Sequence, residues 1–296
     1  MFLSKSDFQH YEKFWLKSVK KFDGSFIHTP QFLEFLSMNG FDVECYISEK
    51  AIIPIYSKNV SVFKIYKVYP LGDFKNELHR INFDRRTIYL VIERPKNSTP
   101  QNDDECYFIM PKVSIDVMWN KFINKKARNS IRKAIRKELN LEISNDESEL
   151  KKFYRIYKMK MAYFNTKPYT FESLKFLLNT DNYKIFNVYY NDKIIAGGTV
   201  MIYNNKMINH LAASYDKYLR YCPNNFLYWK MIEFALENKY ELNLGISNIN
   251  SGVAKFKISM GGKPIPCYEY VPINSLLYNL YKLTKPTLKS ILNLVR

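Results

Sequence analysis

Three apolar segments in the second half of the chain are joined by two short polar pairs. The segments are Tyr183–Tyr190, Ile194–Tyr203 and Met207–Ser214, and the pairs Asn191-Asp192 and Asn204-Asn205 stand between them. Because Asn and Asp tolerate the positive φ angles of two-residue hairpin turns, this pattern predicts three consecutive antiparallel strands. Any fold proposed for the chain must contain a sheet built around this meander.

Helical patterns lie on both sides of the meander. Segments 146–164 and 170–178 precede it, and a helix at Phe226–Asn238 follows and leads into a short strand, Tyr240–Leu244. The first third reads as a helix at Pro30–Met38 followed by several hairpin-rich strands. This order predicts an α+β protein with mixed central sheets and two related halves.

A long, basic helix is predicted over Ile115–Leu139. Its apolar residues recur three and four positions apart and predict the buried stripe: Trp119, Ile123, Ala127, Ile131, Ala134 and Ile135. Its cations, uninterrupted by an acid until Glu138, are Lys121, Lys125, Lys126, Arg128, Arg132, Lys133, Arg136 and Lys137. Such a run either binds phosphates or is a solvated face. Arg128 and Arg132 are the strongest phosphate ligands because a guanidinium makes two parallel hydrogen bonds, and Lys133 lies beside them.

The whole chain is also basic, with a formal net charge of +17 over 296 residues. This favours an anionic partner such as nucleic acid, a phosphorylated substrate or a membrane surface, although an A/T-rich genome would produce many lysines without one. The four cysteines form no C-x-x-C pair and only four histidines are present, so no metal site is expected. Without a signal-peptide pattern or an apolar run of ~18 residues, we expect a cytoplasmic protein.

Near the C-terminal end, a short strand ends in glycine at Leu242–Gly245 and a polar loop follows. A Phe256-Lys257 pair then precedes Gly261-Gly262. This order predicts that Lys257 lies beside the C-terminal end of a strand, where open α/β sheets bind ligands. The alternative is a solvated lysine. Lys255 is expected to face away.

Motifs in residues 115–272 resemble, in order and spacing, those of the GNAT superfamily, in its two-domain branch of Fem-like and BioF2-like acyltransferases. The matching stretches are Asn129–Ala134, Ile195-Ala196-Gly197-Gly198, Ala213–Tyr215 with Tyr221, Pro223 and Asn224, Leu244-Gly245, and Phe256-Lys257 with Met260-Gly261-Gly262. The resemblance implies two tandem GNAT-like domains, 1–114 and 115–272, with the acceptor in the cleft between them. It also implies that Lys257 stabilises the oxyanion of acyl transfer.

The resemblance leaves the acyl donor open between acyl-CoA and aminoacyl-tRNA. GNAT enzymes cradle the CoA pyrophosphate in a glycine-rich turn, but the equivalent loop here, Arg220–Asn225, keeps an arginine and has no glycine. The paired helical arm of tRNA-using Fem enzymes is also missing, and Met260 replaces an aromatic residue. An acyl donor of one of these classes is required, and no metal.

The candidates for the proton acceptor and for further substrate contacts lie far apart in the sequence. Asp73, Asp216 and His210 are candidate bases for the acceptor amine, although turn aspartates commonly bond their own backbone and strand histidines are commonly packed. Tyr215 and Tyr221 are candidates for stacking on sugar rings or bases. The remaining candidate ligands are Arg220 and Phe256, the latter also a core candidate.

Residues 273–296 have an apolar and a cationic side and predict an amphipathic helix, which either docks on the protein or contacts the inner face of the membrane. Together these features predict an acyltransferase that moves an acyl or aminoacyl group to an amine or hydroxyl. The acceptor would be a phosphorylated cell-envelope saccharide, a lipid-linked precursor or a peptidoglycan precursor. The alternative is a non-catalytic basic module that docks on tRNA or an anionic membrane.

Overall fold

The structure is a computed structural model that describes residues 2–3, 8–60, 63–74, 77, 88–93, 105–266 and 268–270. The chain divides into two compact units. The first takes its described residues from 1–102, 165–173 and 267–296, and the second from 103–164 and 174–266. The predicted tail helix at 273–296 lies outside the described residues.

The elements are numbered along the chain. The described strands are β1 (Phe2–Leu3), β2 (Asp42–Ile47), β3 (Ala51–Val60), β4 (Phe63–Val68), β5 (Leu71–Gly72), β6 (Ile88–Glu93), β7 (Glu105–Ile109), β8 (Asn140–Ser144), β9 (Tyr183–Tyr190), β10 (Lys193–Tyr203), β11 (Lys206–Ser214), β12 (Glu241–Asn248), β13 (Lys263–Pro266) and β14 (Tyr268–Tyr270). The described α-helices longer than one turn are α1 (Phe8–Lys21), α2 (Pro30–Met38), α3 (Lys125–Arg136), α4 (Glu147–Tyr163), α5 (Phe171–Leu178), α6 (Pro223–Glu237) and α7 (Gly252–Ser259).

The sheet of the first unit runs in the order β1-β2-β3-β4-β6-β14, with β5 also paired to β3. It is mixed, because β4 and β6 are parallel while β2, β3 and β4 form antiparallel hairpins. α2 has the predicted bounds; it begins after Thr29, whose side chain accepts the Phe32 amide, and Pro30 takes the first position. α1 was not predicted from the sequence.

The sheet of the second unit runs in the order β13-β7-β12-β11-β10-β9-β8. It is mixed as predicted, since β11 and β12 are parallel and the other neighbours are antiparallel. The predicted meander is β9-β10-β11, and its turn residues Asn191, Asp192, Asn204 and Asn205 all have φ between 47 and 58°. β7 lies before the predicted domain boundary at residue 114, yet it pairs with β12 and β13.

Two glycines bring a helix close to each face of β10. A Cβ on Gly197 would lie 2.6 Å from Asn187 Oδ1 and 2.8 Å from Phe153 of α4, whereas a Cβ on Gly198 would lie 2.7 Å from Met231 of α6. Because neighbouring residues of a strand point to opposite faces, α4 covers one face of this sheet and α6 the other.

The long helix predicted over 115–139 is interrupted. A helical turn at Ile115–Val117 continues as a π-helix at Met118–Phe122, and Ile123 is extended, with ψ 123°. Asn124 then caps α3, its side chain accepting the Ala127 amide at 2.7 Å. The predicted stripe is right at Ile123, Ala127, Ile131 and Ala134, all buried, but wrong at Ile135, which is 52% exposed. Ile135 lies about 40° beyond Ile131 around the same helix, at ~100° per residue, at the edge of the buried side and not within it.

Candidate functional site

The two parallel strands at the centre of the second sheet separate after a short paired stretch. β11 and β12 pair over Lys206–Ile208 and Glu241–Asn243, and their pairing stops there. Over Leu211–Ala213 the strand partner of β11 is β10. Both strands become irregular at this point, because β11 has a bulge at Asn209–His210 and β12 departs from regular pairing with β7 between Asn243 and Ile246. The sheet therefore opens where the chain is least regular.

Gly245 stands at this opening with φ +81°, a conformation that L side chains rarely adopt. Its amide donates to Asn243 Oδ1 at 2.8 Å. A Cβ at this position would lie 3.5 Å from the Asn209 carbonyl oxygen and 3.7 Å from Lys257 Nζ. The left-handed glycine thus turns the β12 backbone toward the ammonium of Lys257.

Lys257 is on helix α7, which was not predicted from the sequence. Ser251 caps this helix by accepting the Ala254 amide at 3.0 Å. Lys257 is 4% exposed, so it is not the solvated lysine of the alternative interpretation. Its Nζ donates to the carbonyl oxygens of Gly245 at 3.0 Å and Ile246 at 3.3 Å, and to Ser247 Oγ at 2.8 Å.

Three acceptors on one strand hold the ammonium beside the C-terminal half of β12, where the sequence placed it. It also lies 5.2 Å from the ring centroid of Phe108. Lys255 is exposed, as expected for the neighbouring cation. The arrangement supplies a fixed positive charge next to the opening of the sheet. Ser247 was not a candidate from the sequence, because no motif marks it. It lies three residues after Leu244 of β12.

Phe256 and Tyr228 pack together on the α6 face of the opening. Phe256 is half-buried against the hydrophobic core, and its ring meets that of Tyr228 edge-on at 4.9 Å. Asn209 Nδ2 donates to the Tyr228 hydroxyl at 3.0 Å. Burial raises the pKa of Tyr228 to about 12, so the phenol remains protonated near neutral pH.

His210 occupies the bulge of β11 and lies beside Tyr183. Its Nδ1 is 3.0 Å from the Tyr183 hydroxyl, and that hydroxyl donates to Thr199 Oγ1 at 2.8 Å. Burial lowers the pKa of His210 to about 3. The imidazole is therefore neutral near neutral pH, and its low pKa makes it a weak proton acceptor.

The two candidate aspartates are exposed and lie in different units. Asp216 follows β11, and its Oδ1 accepts from Lys160 Nζ of α4 at 2.6 Å. Asp73 follows β5 in the first unit, where its amide donates to the Lys50 carbonyl oxygen at 2.9 Å. Within the second unit, Lys257 contacts β12 and His210 lies on β11, each just beyond the residues through which these two strands pair. Asp216 lies on the segment after β11.

A row of tyrosines lines the 3₁₀ segment Asp216–Tyr221. Ring centroids of Tyr215 and Tyr218 are 6.5 Å apart, those of Tyr218 and Tyr221 6.2 Å, and Tyr221 reaches Tyr190 at 4.7 Å. The Arg220 guanidinium lies 4.9 Å from the Tyr221 ring and donates to its hydroxyl at 2.9 Å. The predicted ligands Tyr215, Tyr221 and Arg220 therefore form one half-exposed aromatic and cationic surface.

The loop after this segment has a left-handed backbone conformation, which glycine adopts most readily, at a residue that is not glycine. Cys222 has φ 59° and ψ 41°, the left-handed conformation, and Pro223 begins α6 immediately after it. The Cys222 side chain makes no capping hydrogen bond to the first turn of α6. The missing glycine noted in the sequence therefore does not prevent the backbone turn that leads into this helix.

The predicted phosphate ligands of α3 differ in their surroundings. Arg128 Nη1 donates to the carbonyl oxygens of Trp119 at 3.1 Å and Ile123 at 2.5 Å, at the end of the π-helix. Arg132 is exposed, with its guanidinium 5.3 Å from the Trp119 ring. Lys133 is exposed. Arg128 thus fastens α3 to the preceding turn, while Arg132 and Lys133 face outward.

Among the described residues, no group of three or more His, Cys, Asp or Glu side chains is placed to hold a metal ion. Over the same residues, no helix is both long enough and apolar enough to cross a membrane.

The family described as "Acetyltransferase (GNAT) domain" matches residues 124–257, a span that begins at the cap of α3 and ends at Lys257. The parallel strands β11 and β12 lie within this span. The chain contains a GNAT acyltransferase domain. Its chemistry therefore requires an acyl donor. No curated protein matches the chain.

Solved structures show the same fold over nearly the whole acyltransferase chain. FemX superposes with a TM-score of 0.66 at 12% identity, covering 92% of this chain and 98% of that chain. The C-terminal domain of an Agrobacterium fabrum protein described as a lysylphosphatidylglycerol synthetase gives 0.63 at 14% identity, covering 96% and 98%. L-PGS from Bacillus licheniformis gives 0.62 at 14%, covering 91% and 95%. The acyltransferase thus has the Fem-like fold that the sequence motifs predicted.

Proposed function

We propose that this acyltransferase transfers an acyl or aminoacyl group to an amine, or a hydroxyl, of a phosphorylated cell-envelope saccharide or peptidoglycan precursor. The observation that carries the proposal is the buried ammonium of Lys257, fixed by Gly245, Ile246 and Ser247 where β11 and β12 separate. The likeness in fold to FemX and to a domain described as a lysylphosphatidylglycerol synthetase supports an envelope acceptor.

Lys257 would stabilise the oxyanion of acyl transfer through its positive charge. When the acceptor amine attacks the donor carbonyl carbon, the carbonyl oxygen becomes an oxyanion, and a fixed ammonium nearby lowers its energy. The oxyanion then collapses, the bond to the leaving group breaks, and the amine loses its proton. Because the ammonium is already held by three acceptors, little reorganisation accompanies this step.

The donor would lie along β11, on the side where that strand parts from β12. An extended acyl arm can hydrogen-bond the main chain of a strand edge, as extended peptides do. The first turn of α6, entered through the left-handed Cys222, offers backbone amides to an anionic part of the donor. This geometry suits acyl-CoA and the end of an aminoacyl-tRNA alike, so both belong in the assay.

Proton removal would fall to Asp216, His210 or Asp73. Burial leaves His210 neutral but, with a pKa of about 3, weakly basic. Asp216 is an exposed carboxylate paired with Lys160. These surroundings favour Asp216 over His210 as the group that accepts the proton.

The test is transfer by the full chain from each donor class to phosphorylated saccharide and peptidoglycan precursors. We expect Lys257→Met to lower kcat about 10²- to 10³-fold, with binding of the acceptor retained. Lys255→Met, two residues away and exposed, is the matched control and should leave kcat unchanged. Equal rates for wild type and Lys257→Met would refute the role of the ammonium. Failure of the wild type to consume any donor would refute the proposed reaction.

A further inference from the structure

The outer side of α3 is an unusually dense array of cations. Lys125, Lys126, Lys133 and Arg136 are exposed, and with Arg132 and Lys137 they span an arc of roughly 140° at ~100° per residue. Among the described residues none of these side chains makes an ion pair with a carboxylate. Their charges are available to an external anion.

The array is carried on a rigid support. Ala127, Ile131 and Ala134 on the inner side of α3 are buried, and the helix packs on α6. Asn124 caps its first turn, and Arg128 ties it to the preceding π-helix. The cations therefore stand at fixed positions over about 18 Å, at ~1.5 Å per residue.

We propose that the outer side of α3 docks on an anionic phospholipid bilayer. A single phosphate is held by donors that converge on it, whereas these side chains radiate outward from a convex helix and suit headgroups spread over a plane. Ile135, at 52% exposed, lies about 60° beyond Arg132 around the helix, at ~100° per residue, and is therefore outside the cationic arc. Proteins that bind single-stranded nucleic acid place aromatic side chains beside their cations so that bases can stack on them, and α3 contains no aromatic residue.

The docking surface does not depend on the proposed reaction, because it uses neither Lys257 nor the opening between β11 and β12. It also differs from the membrane contact expected of residues 273–296. Juxtamembrane cations each strengthen binding to an anionic surface about fivefold. Removing four of them should therefore weaken binding by two orders of magnitude or more.

The experiment is cosedimentation of the full chain with vesicles of phosphatidylglycerol and phosphatidylcholine in equal parts, and with pure phosphatidylcholine, at moderate salt. The test variant carries Lys125→Gln, Lys126→Gln, Lys133→Gln and Arg136→Gln. The matched control removes the same charge from exposed positions elsewhere in the second unit, through Lys158→Gln, Lys193→Gln, Lys239→Gln and Lys255→Gln.

We expect the wild type to bind the anionic vesicles only. The test variant should bind them at least about 100-fold more weakly, and the control within about fivefold of wild type. Equal binding by the test variant and the control would overturn the proposal. So would binding of an uncharged transfer RNA through the four α3 cations without vesicle binding, which would assign the surface to nucleic acid. Transfer to a soluble acceptor, measured in parallel, reports separately on the proposed reaction.

Discussion

The ammonium of Lys257 lies 2.8 Å from the hydroxyl oxygen of Ser247, which itself donates to the carbonyl oxygen of Ile246 at 2.7 Å. Since hydrogen bonds to charged groups contribute about 1.5–3 kcal/mol, Ser247→Ala should lower the free energy of unfolding by about 2 kcal/mol. It should also lower kcat, because the ammonium loses one of its anchors. Urea unfolding and transfer rates measure the two effects.

Ser259→Ala is the control for this prediction. Ser259 lies on α7, the helix that carries Lys257. Its hydroxyl donates to the Phe256 carbonyl oxygen and is not one of the three acceptors that hold the Lys257 ammonium. Ser259→Ala should lower the free energy of unfolding slightly and leave kcat near the wild-type value. If both variants lower kcat equally, the effect of Ser247 does not pass through the ammonium.

Gly245 and Gly252 provide opposite responses to the same substitution. Gly245 has φ +81°, so Gly245→Ala should destabilise by about 1–2 kcal/mol through backbone strain, although its nearest neighbour would be 3.5 Å away. Gly252 begins α7, and nothing lies within 4 Å of the position that an added methyl group would take, so Gly252→Ala should stabilise by about 0.5–1 kcal/mol. Thermal unfolding compares the two. A neutral Gly245→Ala would contradict the strain argument.

Arg128 should behave as a structural side chain despite its place in a basic run. Its Nη1 contacts carbonyl oxygens of Trp119 and Ile123, so Arg128→Gln should cost about 2 kcal/mol of unfolding free energy. Arg136→Gln, exposed on the same helix, removes the same charge and should change stability by less than about 0.5 kcal/mol. Urea unfolding of both variants decides whether the contact or the charge is responsible.

Stability should fall on acidification because of His210. Its pKa is lowered by burial to about 3, whereas an unfolded histidine titrates near ~6.5, so between these values only the unfolded chain takes up the proton. The free energy of unfolding should therefore decrease as pH falls from ~6.5, by at most about 1.4 kcal/mol per unit.

His210→Gln should make this decrease shallower, and His10→Gln, on an exposed part of α1, is the matched loss of an imidazole. Urea unfolding between pH ~6.5 and ~4.5 is the suitable range. Below pH ~4.5, protonation of the Glu147 carboxylate also lowers the free energy of unfolding, because hydrogen bonds from Lys151 and Lys175 lower its pKa to about 2 in the folded protein. Parallel curves for wild type and His210→Gln would contradict the prediction.

The fold was predictable wherever short-range chemistry decides the backbone. Asn191-Asp192 and Asn204-Asn205 adopt the positive φ angles that two-residue hairpins require, and Thr29-Pro30 marks the beginning of α2. These signals act within four residues. They specify a turn or a cap whatever the rest of the chain does.

Two capping signals were overlooked, and both affected the candidate site. Asn124 divides the segment expected to be one helix, and Ser251 begins the helix that carries Lys257. Each is a polar residue immediately before a helical pattern, so the signal was present in the sequence. The Lys257 contacts with Gly245, Ile246 and Ser247 were not predictable, because they depend on how α7 packs against a strand ten or more residues away.

The paired glycines of β10 set the thickness of the second unit. A methyl group on Gly197 would press on Phe153 and Asn187, and one on Gly198 would press on Met231 and the Leu211 carbonyl oxygen. Alanine at both positions would wedge α4 and α6 outward in opposite directions. The Tyr228 hydroxyl would then withdraw from Asn209. The absence of a side chain at Gly198 thereby sets the distance between α6 and the point where β11 and β12 separate.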